Sequence, residues 1–290
     1  MPMPIKTNAG VLFALLTACG LGAITTQAKI FYADGGNALT LMLARFAAST
    51  LVFGLILLLR RASFAVASRQ RLPLAMLGLV WSGAMICYLV AVETISVSLA
   101  VLILYFYPLL VLAYSILRGQ LRASAALVGL FGAAFLGLYL ALSGGEMTLS
   151  PEGVLFAALA GSGAAFTFIC GARVAASMSP LLVTFWVNAA GLLMILPLVS
   201  GKLALPGAGE ALLALGLATL FYLVAILSQF QALARLSAAR AAFLLNLEPV
   251  VSILLAALVL HERLSPVQAG GVILVITAVL LSIGFKPARA

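Results

Sequence analysis

The feature that most constrains this chain is a series of apolar segments, each long enough to cross a lipid bilayer. A helix needs about 20 mostly apolar residues to span the hydrocarbon core. Ten such segments follow one another, separated by loop-type residues: 9–31, 37–59, 73–92, 97–117, 124–142, 153–172, 181–200, 210–233, 239–260 and 266–285. Strands of a membrane β-barrel would be shorter and would alternate in polarity. The sequence therefore predicts an all-α, polytopic membrane protein with ten transmembrane helices.

The composition is that of a membrane protein and differs from that of a soluble domain. Hydrophobic residues make up 65% of the chain and charged residues 8%, whereas a soluble domain carries about 25% charged residues. Cys19, Cys87 and Cys170 each lie in an apolar segment without metal or redox spacing, so we interpret them as small core residues. We expect no metal and no cofactor.

The basic residues predict how the chain is oriented. With the N-terminus inside and ten crossings, twelve basic residues fall on the cytoplasmic side: Lys6, Arg60, Arg61, Arg69, Arg71, Arg118, Arg122, Arg173, Arg235, Arg240, Lys286 and Arg289. The outer loops hold Lys202 and Arg263, together with six of the seven acids: Asp34, Glu93, Glu146, Glu152, Glu210 and Glu262. The positive-inside rule selects this orientation, with both termini cytoplasmic in a bacterial-type inner membrane. The net charge of +9 then belongs to the membrane surface, and no nucleic-acid partner is needed.

The second half of the chain repeats the first at an offset of 141 residues. Pro249 falls on Pro108, and "NLEP" at 246–249 falls on "YFYP" at 105–108. Few residues are identical, and chance similarity is the alternative. Loops, prolines and span lengths nevertheless correspond between the two halves of the chain. Two repeats of five spans, 1–145 and 146–290, would lie inverted in the membrane. Inverted repeats are typical of alternating-access transporters, whose site lies near the midplane between the repeats.

Three motifs carry a resemblance to a known family. They are Arg45–Phe46 in span two, Glu248–Pro249 in span nine and the following "HERLSP" at 261–266. The chain resembles the drug/metabolite transporter superfamily, EamA type, and looks most like its YddG-type aromatic amino acid exporters. It departs from the pattern at Gln120, where a Glu often stands. The resemblance implies helices around a central cavity, lined by spans three, four, eight and nine with help from one and six.

Three charged residues lie inside predicted spans, where a charge costs about 2.5–3.5 kcal/mol on insertion scales. Glu248 is interpreted either as a ligand for a solute amine or a proton-coupling carboxylate, or as a structural residue that pairs with Arg45 or caps the helix beside the proline break. Arg45 either attracts a solute carboxylate or anchors the fold. Lys29, near the outer end of span one, can reach the surface or take part in function.

Two prolines are expected to break spans four and nine near the midplane. Pro108 and Pro249 each remove one backbone donor and free a carbonyl one turn earlier. Freed backbone groups at membrane depth are tolerated where they face protein or a water-lined cavity. The two prolines therefore predict helix breaks or hinges beside the site, with ordinary kinked packing as the alternative.

Polar and aromatic residues at these depths are the candidate cavity lining. Trp81 and Tyr88 are seven residues apart and share a face of span three. The full set of candidates is Trp81, Tyr88, Ser98, Tyr105, Tyr107, Tyr222, Gln229, Asn246 and Glu248. An aromatic wall suits a flat, apolar solute with a polar handle; core packing is the alternative.

These observations predict a secondary transporter that exports aromatic or other neutral amino acids, or similar small solutes, by alternating access. We expect it to act as a monomer in the bilayer, with proton coupling as a hypothesis. Export of other metabolites or of cationic drugs is the alternative, since a buried carboxylate among aromatic rings also suits cations. An intramembrane enzyme is disfavoured: "GSGAA" at 161–165 would need a base beside Ser162, and the one histidine, His261, is predicted in an outer loop.

Overall fold

The computed structural model describes residues 4–143, 149–205, 207 and 209–284, and these residues form helices without any strand. The helices in this part of the chain are α1 Pro4–Ala33, α2 Ala38–Leu59, α3 Ser68–Thr94, α4 Val97–Leu104, α5 Tyr107–Leu117, α6 Ala125–Ala141, α7 Pro151–Ser177, α8 Pro180–Ile195, α9 Gly209–Leu233, α10 Ala238–Leu244, α11 Leu247–Val259 and α12 Pro266–Gly284. The pairs α4–α5 and α10–α11 each make one crossing. The predicted all-α fold with ten crossings is confirmed.

The helices lie at the predicted spans, but α1, α3 and α7 are longer than predicted and α8 is shorter. Eight segments of the described residues are long and apolar enough to cross a bilayer, and α6 and α8 are shorter apolar helices. The span predicted at 181–200 is too long, because α8 ends at Ile195. Pro197 follows two residues later, and a proline cannot continue the helical hydrogen bonding.

Two crossings are interrupted at matching places. Two residues separate α4 from α5, and two separate α10 from α11. In these gaps Phe106 and Asn246 each donate their N–H to the carbonyl three residues earlier, so the backbone tightens locally. Pro108 and Pro249 come just after the gaps, where their missing donors are tolerated in a first helical turn. Whether the two breaks act as hinges stays a prediction.

Helix contacts in the two halves are of the same kind. α1 packs against α9, and α7 packs against α3. Gly20 on α1 lies against Ala225 on α9, while Gly163 on α7 lies against Ala84 on α3; the two alanines are 141 residues apart and the two glycines 143. Small residues let membrane helices approach closely, so the two halves pack by the same rule. The boundary predicted at residue 145 falls outside the described residues.

The loops sort into two ends of the bundle. At one end the Gln70 side-chain amide donates to the Ser177 carbonyl at 3.1 Å. At the other end the Asn37 amide donates to the Lys202 carbonyl at 2.7 Å. The first end is called the basic end because it carries nine arginines: Arg60, Arg61, Arg69, Arg71, Arg118, Arg122, Arg173, Arg235 and Arg240. The predicted placements of Lys6, Glu146, Lys286 and Arg289 concern side chains outside the described part.

The crossing of α6 and α12 leaves no space for side-chain atoms, and this makes a stability prediction. A Cβ added at Gly271 would lie 2.5 Å from the Gly137 carbonyl oxygen, whereas a Cβ at Gly270 would meet nothing within 4 Å. We expect Gly271→Ala to lower the melting temperature of the detergent-purified protein, because overpacking costs about 1–3 kcal/mol. The matched change Gly270→Ala should leave it unchanged or raise it. Equal melting temperatures for the two variants would contradict this packing.

Candidate functional site

The two helix breaks bring a carboxylate and several tyrosines together in the interior. Glu248, in the first turn of α11, lies close enough to interact electrostatically with the hydroxyls of Tyr88, Tyr105 and Tyr107. The rings of Tyr105 and Tyr107 are 5.7 Å apart, and Tyr107 stacks on Phe168 of α7 at 5.0 Å. The result is an aromatic surface with one acid, held by α3, α4, α5, α7 and α11.

Asn246 has a local role at the second break. Its side-chain amide donates to the Phe243 carbonyl at 2.8 Å, and the same carbonyl accepts the backbone N–H of Asn246 at 3.1 Å. The residue is 3% exposed. Asn246 therefore stabilises the broken helix with its own donor, and a role in solute contact stays a prediction.

A second cluster surrounds Arg45 on α2. The Arg45 guanidinium lies over the Tyr222 ring, 5.2 Å from its centroid. The Tyr222 hydroxyl donates to the Asn188 side-chain carbonyl at 3.1 Å, and Phe46 packs edge-on against the same ring. The Trp81 indole nitrogen lies close to the Tyr222 hydroxyl but makes no hydrogen bond. Tyr222 is thus fixed from three sides and presents its face to the cation.

Arg45 and Glu248 do not pair with each other. Within the described ranges the one salt bridge joins Lys29 to Glu262, at 2.8 Å, with both side chains about half exposed. This places Lys29 in a structural contact at the end opposite the basic end; a functional role for it stays a prediction. A cation–π contact stabilises a guanidinium by about 0.5–2 kcal/mol, which is less than the several kcal/mol that desolvating an ion costs. Neither Arg45 nor Glu248 therefore has an opposite charge beside it among the described residues, and each can still bind a solute group of opposite charge.

Tyrosines connect the two charges through a common interior. Tyr32 interacts electrostatically with both Arg45 and Tyr88, and Tyr88 in turn with Glu248. Arg45, Tyr88 and Glu248 are all partly exposed although they lie on inward-facing positions, whereas Tyr222 is 3% exposed. Tyr32 and Tyr88 thus form a series of aromatic side chains from the neighbourhood of Arg45 to that of Glu248.

The remaining candidates are less well placed for contact with a solute. Gln229 is 1% exposed, and neither polar atom of its side chain has a hydrogen-bond partner among the described residues. It shares a face of α9 with Tyr222, two turns nearer the basic end. Ser98 is partly buried on α4. Their inclusion in a solute site stays a prediction.

The two ends of the interior are packed differently, although the repeats are alike. In α10 and the residue that follows, Ala239 and the run from Ala241 to Leu245 are buried. The equivalent part of α4, from Ser98 to Leu104, is partly exposed at every residue except Ala100. The last turns of α9 and α3 differ in the same sense. The turns of α9 and α10 near the basic end are therefore more deeply buried than their repeat partners in α3 and α4.

Sequence reasoning missed three residues of these clusters. Asn188 is fully buried and binds Tyr222. It is a lone amide inside span seven, and polar residues within spans are functional candidates by default, so a signal was present. Tyr32 is 40% exposed near the end of α1, as is typical of a tyrosine at a membrane interface, and it also lies near Arg45. Nothing in the sequence distinguishes Phe168 from other core phenylalanines.

The "GSGAA" stretch serves helix packing. Gly161 lies against the Leu104 carbonyl at the end of α4, and Gly163 lies against Ala84. Ser162, between them, is exposed on the outer surface of α7. His261 lies beyond the end of α11, so no base accompanies this hydroxyl.

Ten crossings with a polar interior define a multi-pass membrane protein. The model of the EamA-like transporter family matches residues 8–143 and again residues 151–284. The chain belongs to the EamA-like transporter family, whose members transport small solutes. One crystal structure of a protein of unspecified function has the same fold, with a TM-score of 0.81 over 94% of this chain and 97% of the other, at 18% sequence identity. No curated protein sequence matches the chain significantly.

Proposed function

We propose that the protein is a secondary transporter that exports aromatic and other neutral amino acids. The observation that supports this proposal is the pair Arg45 and Glu248, each of which lies beside tyrosine side chains within the membrane-spanning helices, without forming a salt bridge with the other. An amino acid carries a carboxylate, an ammonium group and its side chain on the same α-carbon. Arg45 suits the carboxylate and Glu248 the ammonium, because charge-assisted hydrogen bonds are the stronger ones.

The tyrosines account for the aromatic part of the proposal. Tyr88, Tyr105 and Tyr107 surround Glu248, and their rings offer stacking and edge contacts to a flat side chain. The same rings beside an acid would also bind an organic cation, which keeps cationic drugs as the alternative. Arg45 disfavours that alternative, because a second cation in the same interior would be repelled.

Direction and mechanism come from the family resemblance and from symmetry. The positive-inside rule supports a cytoplasmic location for the basic end, with both termini on that side of a bacterial-type inner membrane. The unequal packing of α4 and α10 is what alternating access between two inverted repeats would produce in one of its two states. Export, proton coupling and action as a monomer are parts of this proposal.

A flux screen in liposomes tests the substrate class. Purified protein should transport phenylalanine and tryptophan, at rates that saturate with concentration, and a set of organic cations should move at least about tenfold more slowly, since one unfavourable charge contact of about 1.4 kcal/mol gives that factor. Each solute is measured with and without a proton gradient.

Two controls make the screen decisive. Protein-free liposomes report leak, and an excess of unlabelled phenylalanine should compete with labelled tryptophan. Transport of cations without transport of any amino acid would remove the leading substrate class and leave the family membership untouched.

A further inference from the structure

A surface groove runs between α6 and α12, away from the interior site. It is lined by small and apolar residues: Ala126, Gly129, Leu130, Ala133, Leu274, Thr277, Ala278, Leu281 and Gly284. Its volume is about 580 Å³. A Cβ at Gly129 would meet no atom within 4 Å, so the groove is open beside that residue. The groove lies on helices that cross the membrane, where the surrounding medium is lipid.

The groove leads to a small pocket at the basic end. Leu130 lines both, and Arg240, Ser237 and Ser282 line the pocket. Phe131 and Phe243 close its floor, with their ring centroids 4.5 Å apart. An apolar channel thus ends at a cation and two hydroxyl-bearing residues.

Arg240 is held in place but is not neutralised. One of its terminal nitrogens, Nη2, donates to the Ile283 carbonyl at 3.1 Å, next to the end of the groove at Gly284. Its Nε is buried without a hydrogen-bond partner, and the arginine forms no salt bridge with any described residue. A buried donor on a charged group is costly to leave unmet, so this position favours an anionic acceptor.

Further positive charge surrounds the pocket. Leu121 is one of its lining residues, and Arg122 follows it directly, with Arg118 one turn earlier in the same loop. Both arginines are exposed. Basic pockets between transmembrane helices on the cytoplasmic side are suited to anionic lipid head groups.

We propose that this groove and pocket form a binding site for one anionic phospholipid, with an acyl chain along α6 and α12 and the phosphate against Arg240. The charge at one end and the apolar length of the groove match the two parts of such a lipid. A second copy of the chain would have to bring an acidic group to Arg240, which lies beside Arg118 and Arg122 at an end rich in arginine.

Native mass spectrometry of the full chain tests the site, with phosphatidylglycerol and phosphatidylcholine as probes. The unchanged protein should retain one phosphatidylglycerol in preference to phosphatidylcholine. Arg240→Gln should reduce that preference about fivefold, since one basic residue near the surface contributes about 1 kcal/mol. Gly129→Leu should abolish retention by filling the groove, and it should fold normally because the space beside Gly129 is empty.

Gly132→Leu is the matched control. Gly132 is on the same helix, also has open space beside it, and does not line the groove. This variant should retain phosphatidylglycerol as the unchanged protein does. Three outcomes would overturn the site: equal retention of the two lipids, unchanged retention in Gly129→Leu, or loss of a dimer instead of a lipid in that variant. Because the readout is lipid retention, the result is independent of what the protein transports.

Discussion

Arg45→Gln should reduce phenylalanine transport in liposomes by at least about thirtyfold, because truncating one partner of a desolvated charge pair costs about 2 kcal/mol or more. The reason is that Arg45 has no acidic partner in the described protein and is available to a solute carboxylate. The loss should depend on the solute. Phenethylamine, which has the ring and the amine but no carboxylate, should move through the variant at least as fast as through the unchanged protein.

The control for this prediction is Lys29→Gln. It removes a positive charge that already forms a salt bridge with Glu262, and both side chains are about half exposed. An exposed salt bridge contributes about 0–1 kcal/mol to stability. Phenylalanine transport should therefore change by no more than a few fold. An equal loss of phenylalanine and phenethylamine transport in Arg45→Gln would show that the arginine supports the fold and does not bind the solute carboxylate.

Glu248→Gln should produce the complementary pattern. Phenylalanine transport should again fall by at least about thirtyfold, since the ammonium loses its counter-charge among tyrosines that cannot replace it. Phenylpropionate, which lacks the amine, should no longer be excluded by the carboxylate and should move faster than in the unchanged protein. Initial rates for the two solutes, measured at equal protein density, give the comparison.

The same variant tests proton coupling. If Glu248 carries a proton across, transport by the unchanged protein varies with pH and that variation disappears in Glu248→Gln. Glu93→Gln, at an exposed position near the end of α3, should keep the original profile. A pH profile that survives Glu248→Gln would restrict the residue to solute binding or structure.

Local chemistry explains how much of the fold is readable from the sequence. The number and positions of the crossings could be predicted from the length and apolarity of the segments, because an apolar segment of about 20 residues crosses a bilayer as a helix. The breaks beside Pro108 and Pro249 could be located because a missing N–H acts within one turn. Pro197 would have shortened span seven by the same reasoning.

Pairing between distant residues could not be predicted in the same way. An Arg45–Glu248 ion pair was a reasonable interpretation, yet Arg45 packs on Tyr222, and Glu248 lies among tyrosines of the other repeat. Spacing along a helix gives the face of a side chain but not its partner on another helix. The unequal burial of α4 and α10 was not predicted either, because it depends on which helices pack against each segment.

Most residues of α10 are buried, whereas most residues of α4 are partly exposed, and this difference has a thermodynamic consequence. Exposing apolar surface to water raises the heat capacity, and burying it lowers the heat capacity. If exchange between states uncovers one segment while covering its repeat partner, the two contributions oppose each other. The enthalpy of the exchange would then vary little with temperature, and the balance between the two states would follow a nearly straight van't Hoff line.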